Sequence, residues 1–305
     1  RLQLALASAG GITLQDISAS NRWLVTHDDQ PYRLLVGGPE PDHERDLSWL
    51  DISETPVISA DGKLVAFADQ GVTGGINYTV LLRKTDGSPA ARLGDGMPLA
   101  LSRDGQSVLA IVPSVPPRLM IYPTGPGEAR RLDQGQFETI PYFAGQFVDE
   151  QRVFMCGSQA GHSVRCYIAN SAGGTFAPVT PEGTIQAALS PDGARIAAQV
   201  RDSFVLVAVA GGPPQPARGL RPRDQLVRWS PDGRELWVWR PGDLAVHAER
   251  VDPATGKRAP LIDIAPPGRA GVRRYEYLRL ADDGRTYAVI ASGYASTLFV
   301  VDGVR

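Results

Sequence analysis

A Ser-Pro-Asp-Gly turn returns along this chain at near-constant spacing, and it restricts the fold more than anything else in the sequence. Ser190-Pro191-Asp192-Gly193 and Ser230-Pro231-Asp232-Gly233 are the clean copies. Ser59-Ala60-Asp61-Gly62, Ser102-Arg103-Asp104-Gly105 and Ala281-Asp282-Asp283-Gly284 vary the first two positions, and Ser18-Ala19-Ser20-Asn21 and Val148-Asp149-Glu150-Gln151 are weaker copies. Each sits between two short apolar runs. Pro presets φ at the second turn position, Asp bonds its own backbone and Gly accepts φ > 0, so each copy reads as the bend of a β-hairpin. The third turn residues fall at 20, 61, 104, 149, 192, 232 and 283. A repeat of roughly 40 to 45 residues is the period of a propeller blade.

The intervening residues supply four short strands per unit. The expected fold is therefore all-β, a seven-bladed β-propeller of four-stranded antiparallel blades forming one domain over 1–305. Its blades fall at about 12–50, 54–95, 98–134, 139–182, 184–221, 225–265 and 275–302 plus 2–8. The last unit is one strand short. The alternating run Leu2-Gln3-Leu4-Ala5-Leu6 is the expected missing strand, pairing into the last blade so that the ring closes and two open edges disappear. The residue before each turn is Ile17, Ile58, Leu101, Phe147, Leu189, Trp229 and Leu280. All seven are apolar, as inner strands packed on neighbouring blades require. Pro and Gly, 25 and 33 in number, leave no ten-residue stretch with a clean helical period.

Composition narrows the function classes. A net charge of −2 with no basic block excludes an electrostatic footprint for nucleic acid. No run of 18 apolar residues marks a membrane-spanning helix. The chain opens at Arg1 without a Met or a signal peptide, and so reads as the cut end of something longer. Cys156 and Cys166 are the only cysteines. On two arms of a hairpin centred near Gly161 they face each other, close enough for a disulfide that would fit an oxidising compartment; two buried free thiols are the other reading.

No catalytic constellation emerges. There is no G-x-S-x-G elbow, and Gly256-Lys257 is followed by Arg258, so no phosphate-binding loop forms. His27, His43, His162 and His247 lack metal-ligand spacing. No catalytic residue, metal ligand or cofactor is assigned, and the chain is expected not to be an enzyme. In a propeller, binding loops gather on the rim opposite the hairpin turns. On that basis Asn77, Tyr142, His162, Arg223, Arg240 and Tyr275 are the expected ligand or partner contacts; ordinary surface is the competing role for each.

Several blocks carry a resemblance. Arg45-Asp46-Leu47-Ser48-Trp49-Leu50-Asp51, the Leu82-Arg83-Lys84-Thr85-Asp86-Gly87-Ser88-Pro89 run, Tyr122-Pro123-Thr124-Gly125, Thr180-Pro181-Glu182-Gly183 and Trp229-Ser230-Pro231-Asp232-Gly233 resemble the C-terminal region of bacterial eukaryotic-type serine/threonine protein kinases. Those proteins carry WD-repeat-like, TolB-type propeller repeats after a kinase domain. The resemblance covers nearly the whole chain, with Asp51-Ile52-Ser53 and the cysteine pair as departures. It implies a non-catalytic sensor or interaction module, on the extracytoplasmic side of a membrane-anchored kinase, that binds a protein or small ligand. A free-standing TolB-like periplasmic scaffold and the gating propeller of a prolyl-oligopeptidase-like enzyme are the alternatives.

Overall fold

The structure is a computed structural model that describes residues 11–29, 31–39, 44–50, 52–71, 77–132, 137–141, 145–172, 174–242, 244–264 and 272–302. Every regular element in them is a β-strand. The turn motif forms as its chemistry dictates. In Ser59–Leu64, the Ser59 Oγ donates to Asp61 Oδ1 (2.7 Å) and accepts the Leu64 N–H (2.9 Å), while Asp61 Oδ1 also accepts the Lys63 N–H (3.1 Å). Gly62 sits at φ 72°, where a Cβ would be strained. The copies at 102, 190 and 230 repeat the same Ser-to-Asp bond.

Five blades follow the chain in order. Blade 1 takes Ile52–Ile58, Leu64–Gln70, Thr79–Lys84 and Ala91–Asp95; blade 2 takes Met97–Leu101, Ser107–Val112, Arg118–Pro123 and Arg130–Leu132. Blade 3 takes Gly145–Phe147, Arg152–Gln159, Arg165–Asn170 and Ala177–Pro178, with Phe137–Thr139 added at the far end of its second strand. Blade 4 takes Thr184–Leu189, Arg195–Val200, Ser203–Ala208 and Gln215–Pro216; blade 5 takes Gln225–Trp229, Leu236–Trp239, Val246–Val251 and Arg258–Ile264. Blade 6 is assembled from both ends of the chain: Val272–Leu280 and Tyr287–Gly293 pair with Tyr32–Gly37 and Arg45–Asp46.

The core lies between blades. Among the described residues there are six buried apolar clusters, one at each junction of the ring. Val57 and Val80 meet Val108 and Tyr122 between blades 1 and 2; Leu99 and Leu119 meet Val153 and Tyr167 between 2 and 3. Phe154 meets Leu189 and Ile196; Ala188 and Ala197 meet Trp229 and Leu236; Trp237 and Val246 meet Tyr275 and Val289. Leu34, Ala288 and Ile290 of blade 6 close the circle on Val65 and Phe67 of blade 1. Each inner strand touches the next, with blade 3 joined to blade 4 where Gln146 Oε1 accepts the Leu189 N–H (2.7 Å), and that of blade 6 returns to blade 1.

Among the described residues the ring has six blades where seven were expected. All seven hairpins form, but the first, Gly11–Ile17 with Trp23–Asp29, stands outside the ring and pairs with the C-terminal strand Ala295–Val301 in a separate three-stranded sheet. Ile17 is 47 % exposed, whereas its equivalents Leu189, Trp229 and Leu280 are buried. The physical reason is the path of the chain after Asp29. Tyr32–Gly37 does not fold back on its own hairpin; it supplies the third strand of blade 6, which leaves Ala295–Val301 to run outward. The expected closing strand, residues 2–8, lies outside the described residues.

The two terminal segments form one ribbon. Tyr32–Gly37 pairs with Tyr287–Gly293, and Trp23–Asp29 pairs with Ala295–Val301, in a single register from Trp23↔Val301 to Gly37↔Tyr287. The Gly293 N–H donating to Pro31 O (2.9 Å) carries the ladder across the joint. Its inner half is a core part of blade 6; in its outer half Ala295–Val301 is largely exposed, whereas Trp23–Asp29 is mostly half-buried and Val25 is buried.

Candidate functional site

The six inner strands enclose a channel of about 670 Å³. Each inner strand starts at one rim and ends in a turn motif at the other. The rim opposite the turns is therefore built from connections between blades and between second and third strands. At blade 5 these two connections converge: Arg221, Pro222 and Arg223 from one, and Arg240, Pro241 and Gly242 from the other, line a recess of about 640 Å³. Pro222, Arg223 and Pro241 also line the channel, so the recess is its mouth.

The mouth is mounted on a buried carboxylate. The Asp224 side chain is fully buried; its Oδ2 accepts from Arg258 Nη1 (2.6 Å) and the Arg221 N–H (2.8 Å), and its Oδ1 from Arg240 Nε (3.0 Å). Burial alone would push Asp224 up, but the Arg258 hydrogen bond, with those from Arg221 and Arg240, more than offsets it and holds the carboxyl below its ordinary range. Arg258 also pairs with Glu249 and donates to Gly219 O (2.8 Å). The Asp224 carbonyl accepts from Gln186 Nε2 (2.9 Å), whose Oε1 accepts the Leu226 N–H (2.8 Å), which fastens the mouth to blade 4. Arg240 is thereby held by one edge while its Nη2 is buried with no partner, and Arg221 and Arg223 are exposed. Such a fixed fork suits carboxylate or phosphate groups.

Of the expected contacts, Arg223 and Arg240 are brought together in this mouth. His162 sits on the same rim at blade 3, where its Nδ1 is 2.7 Å from Glu182 Oε1, and does not line the channel. Asn77 is half-buried beside the connection within blade 1, also away from the channel lining. Tyr275 is buried between blades 5 and 6, and Tyr142 lies outside the described residues. Cys156 and Cys166 are cross-strand partners in blade 3 and are joined by a disulfide, buried against blade 4. Sequence reasoning missed Arg221, Asp224 and Arg258, whose roles depend on blade 5 folding its last strand back under the mouth. It also missed Arg279 and Tyr277, which line the channel from an inner strand that looked wholly structural. Among the described residues no group of three or more His, Cys, Asp or Glu could hold a metal ion, and no helix is long and apolar enough to cross a membrane.

Solved structures place this architecture. A TolB-type protein of Agrobacterium tumefaciens is similar over 87 % of this chain and 99 % of its own, with a TM-score of 0.64 at 17 % identity. The fold is that of a TolB-type β-propeller. TolB from Acinetobacter baumannii matches over 88 % of this chain and 66 % of its own, with a TM-score of 0.53 at 12 % identity. An oligogalacturonate lyase solved in complex with manganese matches over 90 % and 76 %, with a TM-score of 0.52 at 13 % identity. At these identities the likeness is one of fold alone. No family model and no curated protein matches the chain.

Proposed function

We propose that this TolB-type propeller is a single-domain, non-catalytic interaction module that receives a protein partner at the rim opposite its turn motifs. The observation that carries the reading is the arginine mouth, in which Arg221, Arg223 and Arg240 surround one recess over a buried Asp224 support. Convergent cations on a rigid ring recognise acidic groups and steer a partner toward them. The kinase-like blocks support a place C-terminal to a bacterial serine/threonine protein kinase, as its sensor. The Cys156–Cys166 bridge favours an extracytoplasmic setting, because structural disulfides persist where the medium is oxidising. A free-standing TolB-like protein is the second reading, favoured by the 99 % coverage of the Agrobacterium chain.

The test is a photo-cross-linking amino acid placed at Arg223 and, separately, at Asp232 on the turn face. A discrete adduct in cells from position 223 and none from 232 is the expected outcome. Equal labelling from both faces would remove the rim reading. The gene sequence upstream of Arg1 separates the two contexts: a kinase domain and a span of about 20 apolar residues supports the sensor, and a signal peptide alone supports the free-standing protein.

A further inference from the structure

The channel itself carries a second cationic position, remote from the rim arginines along the inner strands. Arg279 lies one residue before the end of the blade 6 inner strand and lines the channel wall. Its Nη1 donates to the Leu278 carbonyl at 3.2 Å, and among the described residues no carboxylate pairs with it. Its neighbour Arg228 is differently placed: it holds Asp282 at 2.5 Å and the Leu280 carbonyl at 3.2 Å. The channel lining contains four arginines, Arg103, Arg223, Arg228 and Arg279, against two aspartates, Asp224 and Asp282. Both aspartates are already spent on arginines, so the lumen is left positive.

Arg279 is half-buried, and a guanidinium held partly out of water without a counter-ion is costly to keep. Burial indeed pulls the Arg279 pKa down, with Tyr277 alone opposing it. The backbone is strained at the same place. Tyr277 has φ 55° inside a one-residue bulge between Glu276 and Arg279, as Thr55 has φ 47° in the same bulge of the blade 1 inner strand, a region that non-glycine residues populate sparsely. Tyr277 and Arg279 both line the channel. The Tyr277 hydroxyl is pushed up by desolvation and by the carboxylates of Glu54 and Glu276, so it stays protonated and can donate. A half-buried unpaired cation and a neutral phenol, two residues apart in sequence, thus line the same wall of the channel.

We infer that Arg279 and Tyr277 form an oxyanion site inside the channel, which takes a carboxylate or phosphate group on the Arg279 fork with the Tyr277 hydroxyl as an added donor. The site goes beyond the rim reading and does not depend on it, since it needs only the closed ring. Its ligand enters as an anion and leaves as one, with no bond made or broken.

The experiment follows the arginine side-chain Nε–Hε resonances of the full chain while acetate, inorganic phosphate and, as the ionic-strength control, chloride are titrated separately. Acetate or phosphate should shift the Arg279 signal saturably, and chloride should not. Acetate alone would identify a carboxylate site, and phosphate alone a phosphate site. Thermal unfolding of Arg279→Met, which keeps the aliphatic stem, gives the second arm. In low-anion buffer this variant should melt at or above the wild-type temperature and should lose the rise that the effective anion produces in the wild type. Equal shifts with chloride, no saturable shift with either oxyanion, or a variant that melts lower yet keeps the anion-dependent rise would each overturn the site. Cross-linking at Arg223 in an Arg279→Met background reads the rim separately.

Discussion

The two halves of the terminal ribbon share one register and one kind of sequence, yet they live in different surroundings. In the inner half, Leu34 and Ile290 are fully buried against Val65 and Phe67 of blade 1. In the outer half, Leu298 is 59 % exposed, and Phe299 and Val300 are exposed beside it. Backbone pairing is equally regular in both. The difference is what lies across the sheet face: the inner half has blades on either side, and the outer half has none among the described residues. Ladder hydrogen bonds alone contribute little net stability. What holds this propeller together is the apolar contact between blades, at about 25 cal/mol per Å² buried.

The largest effect expected from that contrast is at Ile290. Ile290→Ala removes buried methylenes at the seam where the ring closes on blade 1 and should cost about 2–5 kcal/mol in denaturant unfolding. A loss below about 1 kcal/mol would mean that the seam is not a principal part of the core. An intermediate effect is expected on acidification. In the ring, Asp61, Asp104, Asp192 and Asp232 are held below the ordinary carboxylate range, first by the serine hydroxyl of their own turn and then by backbone N–H groups. A depressed carboxyl contributes stability that is present above its unfolded pKa and is lost as pH falls through its folded one. Hydrogen exchange at those four turns should therefore accelerate as pH drops below about 4, once the intrinsic pH dependence is removed. The outer hairpin turns through Ser18-Ala19-Ser20-Asn21, has no carboxylate in the turn, and should not follow. Parallel loss in all five would erase the distinction. The smallest effect belongs to Leu298→Thr, a β-compatible exchange on the exposed strand, which should change unfolding free energy by no more than about 0.5 kcal/mol. A larger loss would show that the outer half is packed against something in solution.

The mouth and the channel wall differ in the same way in how they could be read. Arg223 and Arg240 were legible because propeller topology alone sends their connections to one rim. Asp224, directly beside Arg223 in sequence, gave no sign that it anchors three arginines, because Arg258 reaches it from the far strand of the same blade. Arg279 was hidden for another reason. It occupies the residue before Leu280, and its equivalents Val57, Ala100, Gln146, Ala188 and Arg228 line the channel as well; a position so mixed in chemistry does not announce a binding role in a period-2 pattern. Tyr275, expected at the rim, is buried in the core between blades 5 and 6.

The all-β class, the repeated hairpins and their turn chemistry follow from neighbours a few residues apart: a serine hydroxyl, an aspartate and a glycine bonding within one turn. Those local interactions produced seven hairpins. That six of them make the ring among the described residues comes from long-range packing. The third strand of a blade can come from any segment with the right alternation, and choosing Tyr32–Gly37 for blade 6 is a pairing over some 250 residues of chain. That choice is settled by burial at the closing seam, a free energy that exists only once both sides of the seam are present.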